Sequence, residues 1–157
     1  MDSHQYITTA DGLERLCDHL STASRLALDT EFVGEDSFVP RLELIQVATE
    51  SRSAIIDFPA VQQSSALQPF WDIVRNPGVE KIVHADRQDL DLFATHAGTI
   101  PKPFFDTQIA AYVLNAALRS QSIADVVAER LDLVLPPPKE LPPVHRAGLD
   151  RKSTRLN

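Results

Sequence analysis

Two acidic residues directly follow a short apolar run in Leu26-Ala27-Leu28-Asp29-Thr30-Glu31, and their type and spacing suit the binding of a cation. The apolar run is typical of a buried strand, and carboxylates placed at the end of such a strand need a compensating partner. In an extended chain residues two apart point to the same side, so Asp29 and Glu31 would project together, roughly 7 Å apart. Two carboxylates on one face suit Mg²⁺ or Mn²⁺, the oxygen-seeking ions of phosphate chemistry. The alternative is that Asp29 caps a turn while Glu31 is solvated.

A third carboxylate candidate, Asp89, lies in the first turn of a helix predicted from Asp86 to Ala97. It lies one turn before Phe93, at the border of the face that would pack on the sheet. Asp91 is rotated by about 200° from it and should face water. Asp86 is typical of an N-cap, and Asp89 also fits as its capping-box partner. The sequence therefore leaves two alternative roles for Asp89, helix capping and cation binding.

Other polar side chains stand at the predicted ends of strands and helices. Asp106 is a typical N-cap for a helix reaching Ala117, and the backbone N–H groups of that helix's first turn, at Gln108 for example, are suited to a phosphate. His84 ends a short predicted strand and is interpreted as a strand-end histidine rather than a general base. Gln46 lies within an apolar strand and is expected to form an internal hydrogen bond.

Composition limits the class of protein. The 157 residues suit one domain with a real core, and the net charge of −7 argues against a broad basic surface for nucleic acid. An enzyme that holds phosphates through divalent cations can nevertheless be acidic. A single cysteine excludes an internal disulfide, so a cytoplasmic setting is expected, with no membrane segment. The five histidines lack the paired spacing of a zinc site.

The apolar pattern predicts an α/β domain in which a meander is followed by alternating helices and strands. The first predicted helix begins with the capping box Asp11–Glu14 and buries a stripe at i, i+3, i+4 and i+7. The predicted elements are a strand at Tyr6–Thr8, a helix with Leu13, Leu16, Cys17 and Leu20, strands containing Asp29, Gln46 and Ile55, a helix with Leu67, Phe70, Trp71 and Val74, a strand at Lys81–His84, a helix at Asp86–Ala97 that buries Leu90, Phe93 and Ala97, and helices at Asp106–Ala117 and Ser122–Leu133.

Five motifs, in order and with suitable spacing, make residues 6 to 133 resemble ribonuclease D, of the DEDD superfamily of 3′-5′ exonucleases with a ribonuclease H-like fold. The motifs are Tyr6-Ile7-Thr8-Thr9, Leu28-Asp29-Thr30-Glu31-Phe32, Pro40-Arg41-Leu42 with Leu44-Ile45-Gln46-Val47-Ala48, His84-Ala85 with Gln88-Asp89-Leu90, and Phe105-Asp106-Thr107-Gln108-Ile109-Ala110-Ala111. The resemblance implies a mixed sheet flanked by helices. It also implies that Asp29, Glu31 and Asp89 are catalytic and hold two divalent metal ions, Mg²⁺ or Mn²⁺.

The function implied by the resemblance is metal-dependent hydrolysis at RNA 3′ ends, as in tRNA processing, with release of nucleoside 5′-monophosphates. Two metals can serve the attacking water and the leaving 3′-oxygen. Single-stranded RNA is then the partner, and no obligate protein partner is inferred. The implied substrate-binding residues are Phe32, Thr30, His84, Asp106 and Gln108, with plain core packing as the alternative for Phe32. A DNA-directed exonuclease and a non-catalytic binding or scaffold domain of the same fold are the alternative functions.

One departure from the family pattern concerns its last motif, a Tyr-x-x-x-Asp that carries the fourth carboxylate and a water-orienting tyrosine. No tyrosine of this chain has Asp four positions later, and the residue four positions after Tyr112 is Ala116. We therefore expect an incomplete exonuclease domain at residues 1–135, weak or inactive by itself. Residues 136–149 are Pro-rich and are expected to form an irregular segment. Residues 150–157 read back as GAT CGG AAG AGC ACA CGT CTG AAC, a common sequencing adapter, and are expected to be an artificial tail on a truncated chain.

Overall fold

The computed structural model describes residues 4–34, 40–84, 87–114 and 122–135. These form six strands and six helices in an α/β arrangement. In chain order they are β1 (Gln5–Ile7), α1 (Ala10–Leu20), β2 (Arg25–Val33), β3 (Arg41–Ala48), β4 (Ser53–Asp57), α2 (Phe58–Val61), α3 (Leu67–Arg75), β5 (Glu80–Val83), α4 (Arg87–Ala97), β6 (Phe104–Asp106), α5 (Thr107–Leu114) and α6 (Ile123–Leu131).

The strands form one mixed sheet in the order β1-β4-β3-β2-β5-β6. The predicted meander is confirmed, because β3 pairs antiparallel with both β2 and β4. The pairs β1–β4, β2–β5 and β5–β6 are parallel. Strand β2, which carries Asp29 and Glu31, therefore lies inside the sheet and is held on both edges. The three-residue β6 and the four-residue α2 were not predicted.

The core lies between one face of the sheet and the helices. The predicted apolar stripes are buried, and helices α1 and α3 contact each other there. The buried stripe residues are Leu13, Leu16, Cys17 and Leu20 of α1 and Leu67, Phe70, Trp71 and Val74 of α3. The opposite face of the sheet, which we call the outer face, is accessible at β2, where Ala27 and Asp29 are exposed. No helix within the described ranges is long and apolar enough to cross a membrane.

The start of α1 corrects one prediction. The helix begins at Ala10 and its N-cap is Thr9, whose side chain accepts a hydrogen bond of 3.2 Å from the N–H of Gly12. The predicted capping box Asp11–Glu14 is therefore wrong. Gly12 permits the close approach, since a Cβ there would lie 3.1 Å from Thr9 Oγ1.

Helix α4 buries Phe93 and Ala97 as predicted, while Leu90 is half-buried and Leu92 is the buried leucine. The expected N-cap, Asp86, lies outside the described residues, as do Ala117 and residues 136–157. Ser122 caps α6 as the sequence indicates, accepting from the N–H of Asp125.

An aromatic cluster in the core includes a titratable ring. His96 stacks on Trp71 with an interplanar angle of 14° and meets Phe58 edge-on, with ring centroids 4.8 Å apart. Burial lowers the pKa of His96 below its ordinary value of 6.5. The folded state therefore favours the neutral ring.

We expect this histidine to make the fold sensitive to mild acid. Below about pH 6.5 the unfolded chain binds a proton that the folded chain resists, so stability is lost as the pH falls through that range. Replacement of His96 by Gln should reduce the fall in Tm between pH 7.5 and pH 5.5 by about 1–3 °C. The matched control is His4→Gln, at an exposed histidine. Equal pH dependence of the two variants would contradict this assignment.

Candidate active site

The two faces of β2 differ in character, and the carboxylates lie on the accessible one. Along the strand Leu26, Leu28, Thr30 and Phe32 are buried, and the residues between them are exposed or half-buried. Asp29 is exposed and Glu31 is half-buried. Because side chains alternate along a strand, both project to the outer face, as the sequence indicated.

Asp29 is oriented from the neighbouring strand. Gln46 lies directly opposite it in the antiparallel pairing of β2 with β3, and Gln46 Nε2 donates to Asp29 Oδ2 at 3.1 Å. The expected internal hydrogen bond of Gln46 is thus present, and its partner is the first candidate ligand. A carboxylate fixed by an amide donor is already oriented for a cation.

Asp89 lies against the buried side of the same strand. Its carboxylate is only 4% exposed and accepts a hydrogen bond from the hydroxyl of Thr30, which is itself fully buried. Asp91 is exposed, so α4 has the predicted rotation about its axis. Asp89 is therefore anchored on Thr30, the residue between Asp29 and Glu31.

The chemical types of the donor atoms on β2 bear on which cation could bind there. The hard oxygens of Asp29 and Glu31 share one accessible face and suit Mg²⁺ or Mn²⁺ by type. Within the described part of the chain, however, no group of three or more His, Cys, Asp or Glu side chains is arranged to hold a metal ion. Two carboxylates fit a cation here, and the role of Asp89 as a third ligand stays a prediction.

His84 is held by a residue that sequence reasoning did not connect with it. Its Nδ1 lies 2.8 Å from Thr107 Oγ1, which donates to the carbonyl of Val83 at 3.1 Å. The hydroxyl has one proton, so both contacts are hydrogen bonds when Nδ1–H donates to Thr107. That tautomer leaves the lone pair on Nε2. The parallel pairing of β5 with β6 brings the two residues together, and no local sequence signal reveals it.

A cavity of about 550 Å³ on the outer face brings several of these groups together. Its polar lining includes Asp29, Gln46, His84 and Thr107. Its apolar lining includes Ala27, Ile55 and Ile82. A ligand in this cavity would meet a carboxylate and an imidazole set on an apolar floor.

Four predicted substrate-binding residues have structural roles in the fold. Asp106 Oδ1 accepts from the backbone N–H of Gln108 at 2.9 Å and of Ile109 at 3.1 Å, so the predicted N-cap is present. The Gln108 amide is thereby engaged with Asp106. Phe32 is 2% exposed within the core, and Thr30 bonds Asp89. Burial favours the core interpretation of Phe32 and a supporting role for Thr30.

Comparison with known proteins connects this geometry to a family. The family model of 3′-5′ exonucleases matches residues 4–135. Ribonuclease D of Musicola paradisiaca is 38% identical over 133 residues, 85% of this chain and 34% of that protein. Ribonuclease D of Zymomonas mobilis is 42% identical over 115 residues, 73% of this chain and 29% of that protein. The chain thus spans about a third of the length of these curated relatives.

Solved structures agree on the fold. The crystal structure of Escherichia coli RNase D, an exoribonuclease involved in structured RNA processing, has a TM-score of 0.72 and 34% sequence identity, covering 85% of this chain and 35% of that one. Trypanosoma brucei RNase D in complex with RNA U12 has a TM-score of 0.75 and covers 84% of this chain and 48% of that one. At 16% identity the second likeness shows the fold alone.

Proposed function

This chain belongs to the 3′-5′ exonuclease family, and from this membership we propose that it is the exonuclease domain of a ribonuclease D-like, metal-dependent enzyme. The proposed reaction is hydrolysis of the terminal phosphodiester at an RNA 3′ end. Water attacks phosphorus and the P–O3′ bond breaks. The products are a nucleoside 5′-monophosphate and an RNA that is one nucleotide shorter and ends in a 3′-hydroxyl. The observation that carries the proposal is the pair Asp29 and Glu31 on the accessible face of a central strand.

The proposed substrate is single-stranded RNA. An RNA is bound in the Trypanosoma brucei structure, and the Escherichia coli relative acts in structured RNA processing. Precursors of tRNA are the finer substrate class that we propose. The cavity beside Asp29 has an apolar floor suited to a nucleoside, and polar side chains such as Gln46 and His84 also line it.

Divalent metal ions are general in this family, and we propose Mg²⁺ or Mn²⁺ here, two ions held by Asp29, Glu31 and Asp89. When bound, such ions offset the charge of the phosphodiester and of the leaving 3′-oxygen. The task of Asp29 and Glu31 is to hold them at the outer face, and Gln46 keeps Asp29 aimed. Asp89, which accepts a hydrogen bond from Thr30 between these two residues, is the third member of the proposed ligand set.

We assign direct substrate contact to His84. With its lone pair on Nε2, a neutral His84 accepts a hydrogen bond, which a hydroxyl or a water can donate and an ionised phosphodiester cannot. The ribose hydroxyls of the terminal nucleotide are the matching donors. The other predicted substrate residues support the site without touching the substrate in this proposal. Thr30 and Phe32 support β2. Asp106 caps α5, the helix that carries Thr107 and Gln108.

The test is the polarity of cleavage. Long incubation of purified chain with 5′-labelled single-stranded RNA and Mn²⁺ should give a ladder of products shortened one nucleotide at a time. EDTA should abolish it, and a circular RNA of the same sequence, which has no 3′ end, should stay intact. Cleavage of the circle would show an endonuclease, and preferential shortening of DNA of the same sequence would assign the chain to DNA.

A further inference from the structure

An irregularity in the pairing of β2 with β3 decides which side chains reach the outer face. Glu31 lies opposite Leu44, but the next residue, Phe32, lies opposite Leu42, so Glu43 is an extra residue in β3. Bulges of this kind change the facing of the residues that follow, and they are common beside active sites.

The extra residue moves Arg41 to the carboxylate face. In a regular ladder Leu42 would fall on the same side as Leu44, and Arg41 would be directed into the core. The bulge reverses this order: Leu42 is 2% exposed, and Arg41 lies opposite Val33 on the outer face. A guanidinium thereby stands in the row of Asp29 and Glu31, about 7 Å further along β2 than Glu31.

The side chain of Arg41 is largely exposed to solvent. Its side chain is 74% exposed, and its Nε lies 2.6 Å from Glu43 Oε1. That oxygen accepts no hydrogen bond from the described residues, so the contact is an ion pair without hydrogen-bond alignment. The Glu43 side chain is 21% exposed and its Oε1 is buried, so the pair is open to solvent on the arginine side only. The planar fork of an arginine is suited to bind a phosphate through two nitrogens.

We propose that Arg41 binds a phosphodiester of the substrate strand, next to the scissile one at the site of Asp29 and Glu31. The inference rests on the proposed function and names a contact on the strand upstream of the scissile bond. The physical reason for such a contact is charge compensation. The chain carries a net charge of −7, and carboxylates beside the path of an RNA strand require a nearby cation. Because Arg41 would contact the RNA backbone and not a base, the contact should not depend on the base sequence.

The experiment measures the salt dependence of RNA binding. Fluorescence anisotropy of a labelled single-stranded 12-mer with Mn²⁺ is recorded at several KCl concentrations, and a gel verifies that the RNA stays intact. Arg41→Gln should lower the magnitude of the slope of log K against log [KCl] by about 0.7, the value of one single-strand phosphate contact. It should weaken binding about tenfold at low salt. Arg41→Lys keeps the charge and should keep the slope.

Arg25 is the matched control. Its side chain is 62% exposed, and its Nε also faces a glutamate, Glu80, at 3.0 Å. It lies six residues before Glu31, about 20 Å away along β2. Arg25→Gln should leave the slope unchanged. An unchanged slope for Arg41→Gln on RNA that the parent chain binds, or an equal drop for Arg25→Gln, would overturn the Arg41 proposal alone. Absence of RNA binding by the parent chain would overturn the proposed function as well.

Discussion

We expect the 157-residue chain to shorten single-stranded RNA at least about 100-fold more slowly than Escherichia coli ribonuclease D under the same Mn²⁺ conditions. The family pattern includes a fourth carboxylate and a tyrosine in a Tyr-x-x-x-Asp motif. The 157 residues of this chain do not contain that motif. In the proposed site, one metal ion would then lack a ligand and the attacking water would be poorly aimed. Positioning errors near 1 Å can cost about 10²-fold in rate. The measurement is initial release of labelled nucleotide at matched enzyme concentration.

A chimaera provides the positive counterpart of this experiment. Joining residues 1–135 to the following part of Zymomonas mobilis ribonuclease D, the 42%-identical relative, should raise the rate at least about tenfold, because the family pattern places the motif in that part. Fast release by the original chain, abolished by Asp29→Asn, would instead show that three carboxylates suffice.

Much of the fold follows from short-range patterns. The spacing of apolar residues predicts helices α1 and α3 and their buried stripes, because one period of 3.6 residues decides which side meets the core. The alternation in β2 likewise places Asp29 and Glu31 on one face. The rotation of α4, with Asp89 inward and Asp91 outward, follows from the same geometry.

Long-range contacts could not be predicted in this way. Lys81 is fully buried, although lysine in a short strand is expected to reach solvent. Its ammonium donates to the carbonyls of Asn76, Val79 and Lys102 at 2.6, 2.7 and 3.0 Å, and burial lowers its pKa. These acceptors lie in two loops, one between α3 and β5 and one between α4 and β6, which are distant in sequence and adjacent only in the folded chain. The His84–Thr107 contact and the bulge at Glu43 depend in the same way on strand pairing.

The second large effect concerns cation binding. Asp29→Asn should weaken the binding of Mn²⁺ to this chain by more than about tenfold, because even loss of an outer partner of a metal ligand costs 10–100-fold. Glu31→Gln should do the same. Without metal the folded state should persist, since removing one of two neighbouring negative charges relieves repulsion, and Asn can still accept from Gln46. The urea midpoint in EDTA should therefore be unchanged or slightly higher. A large loss would make Asp29 a structural acceptor.

The most direct test of Asp29 and Glu31 as the cation site is a Mn²⁺ titration followed by the electron paramagnetic resonance signal of the free ion. Asp91→Asn is the matched control, since it removes an exposed carboxylate from α4 on the side that faces water. We predict that the parent chain and Asp91→Asn deplete free Mn²⁺ alike, and that Asp29→Asn and Glu31→Gln do not. Equal depletion by all four proteins, or none by the parent chain, would contradict the assignment of this face of β2 as the metal site.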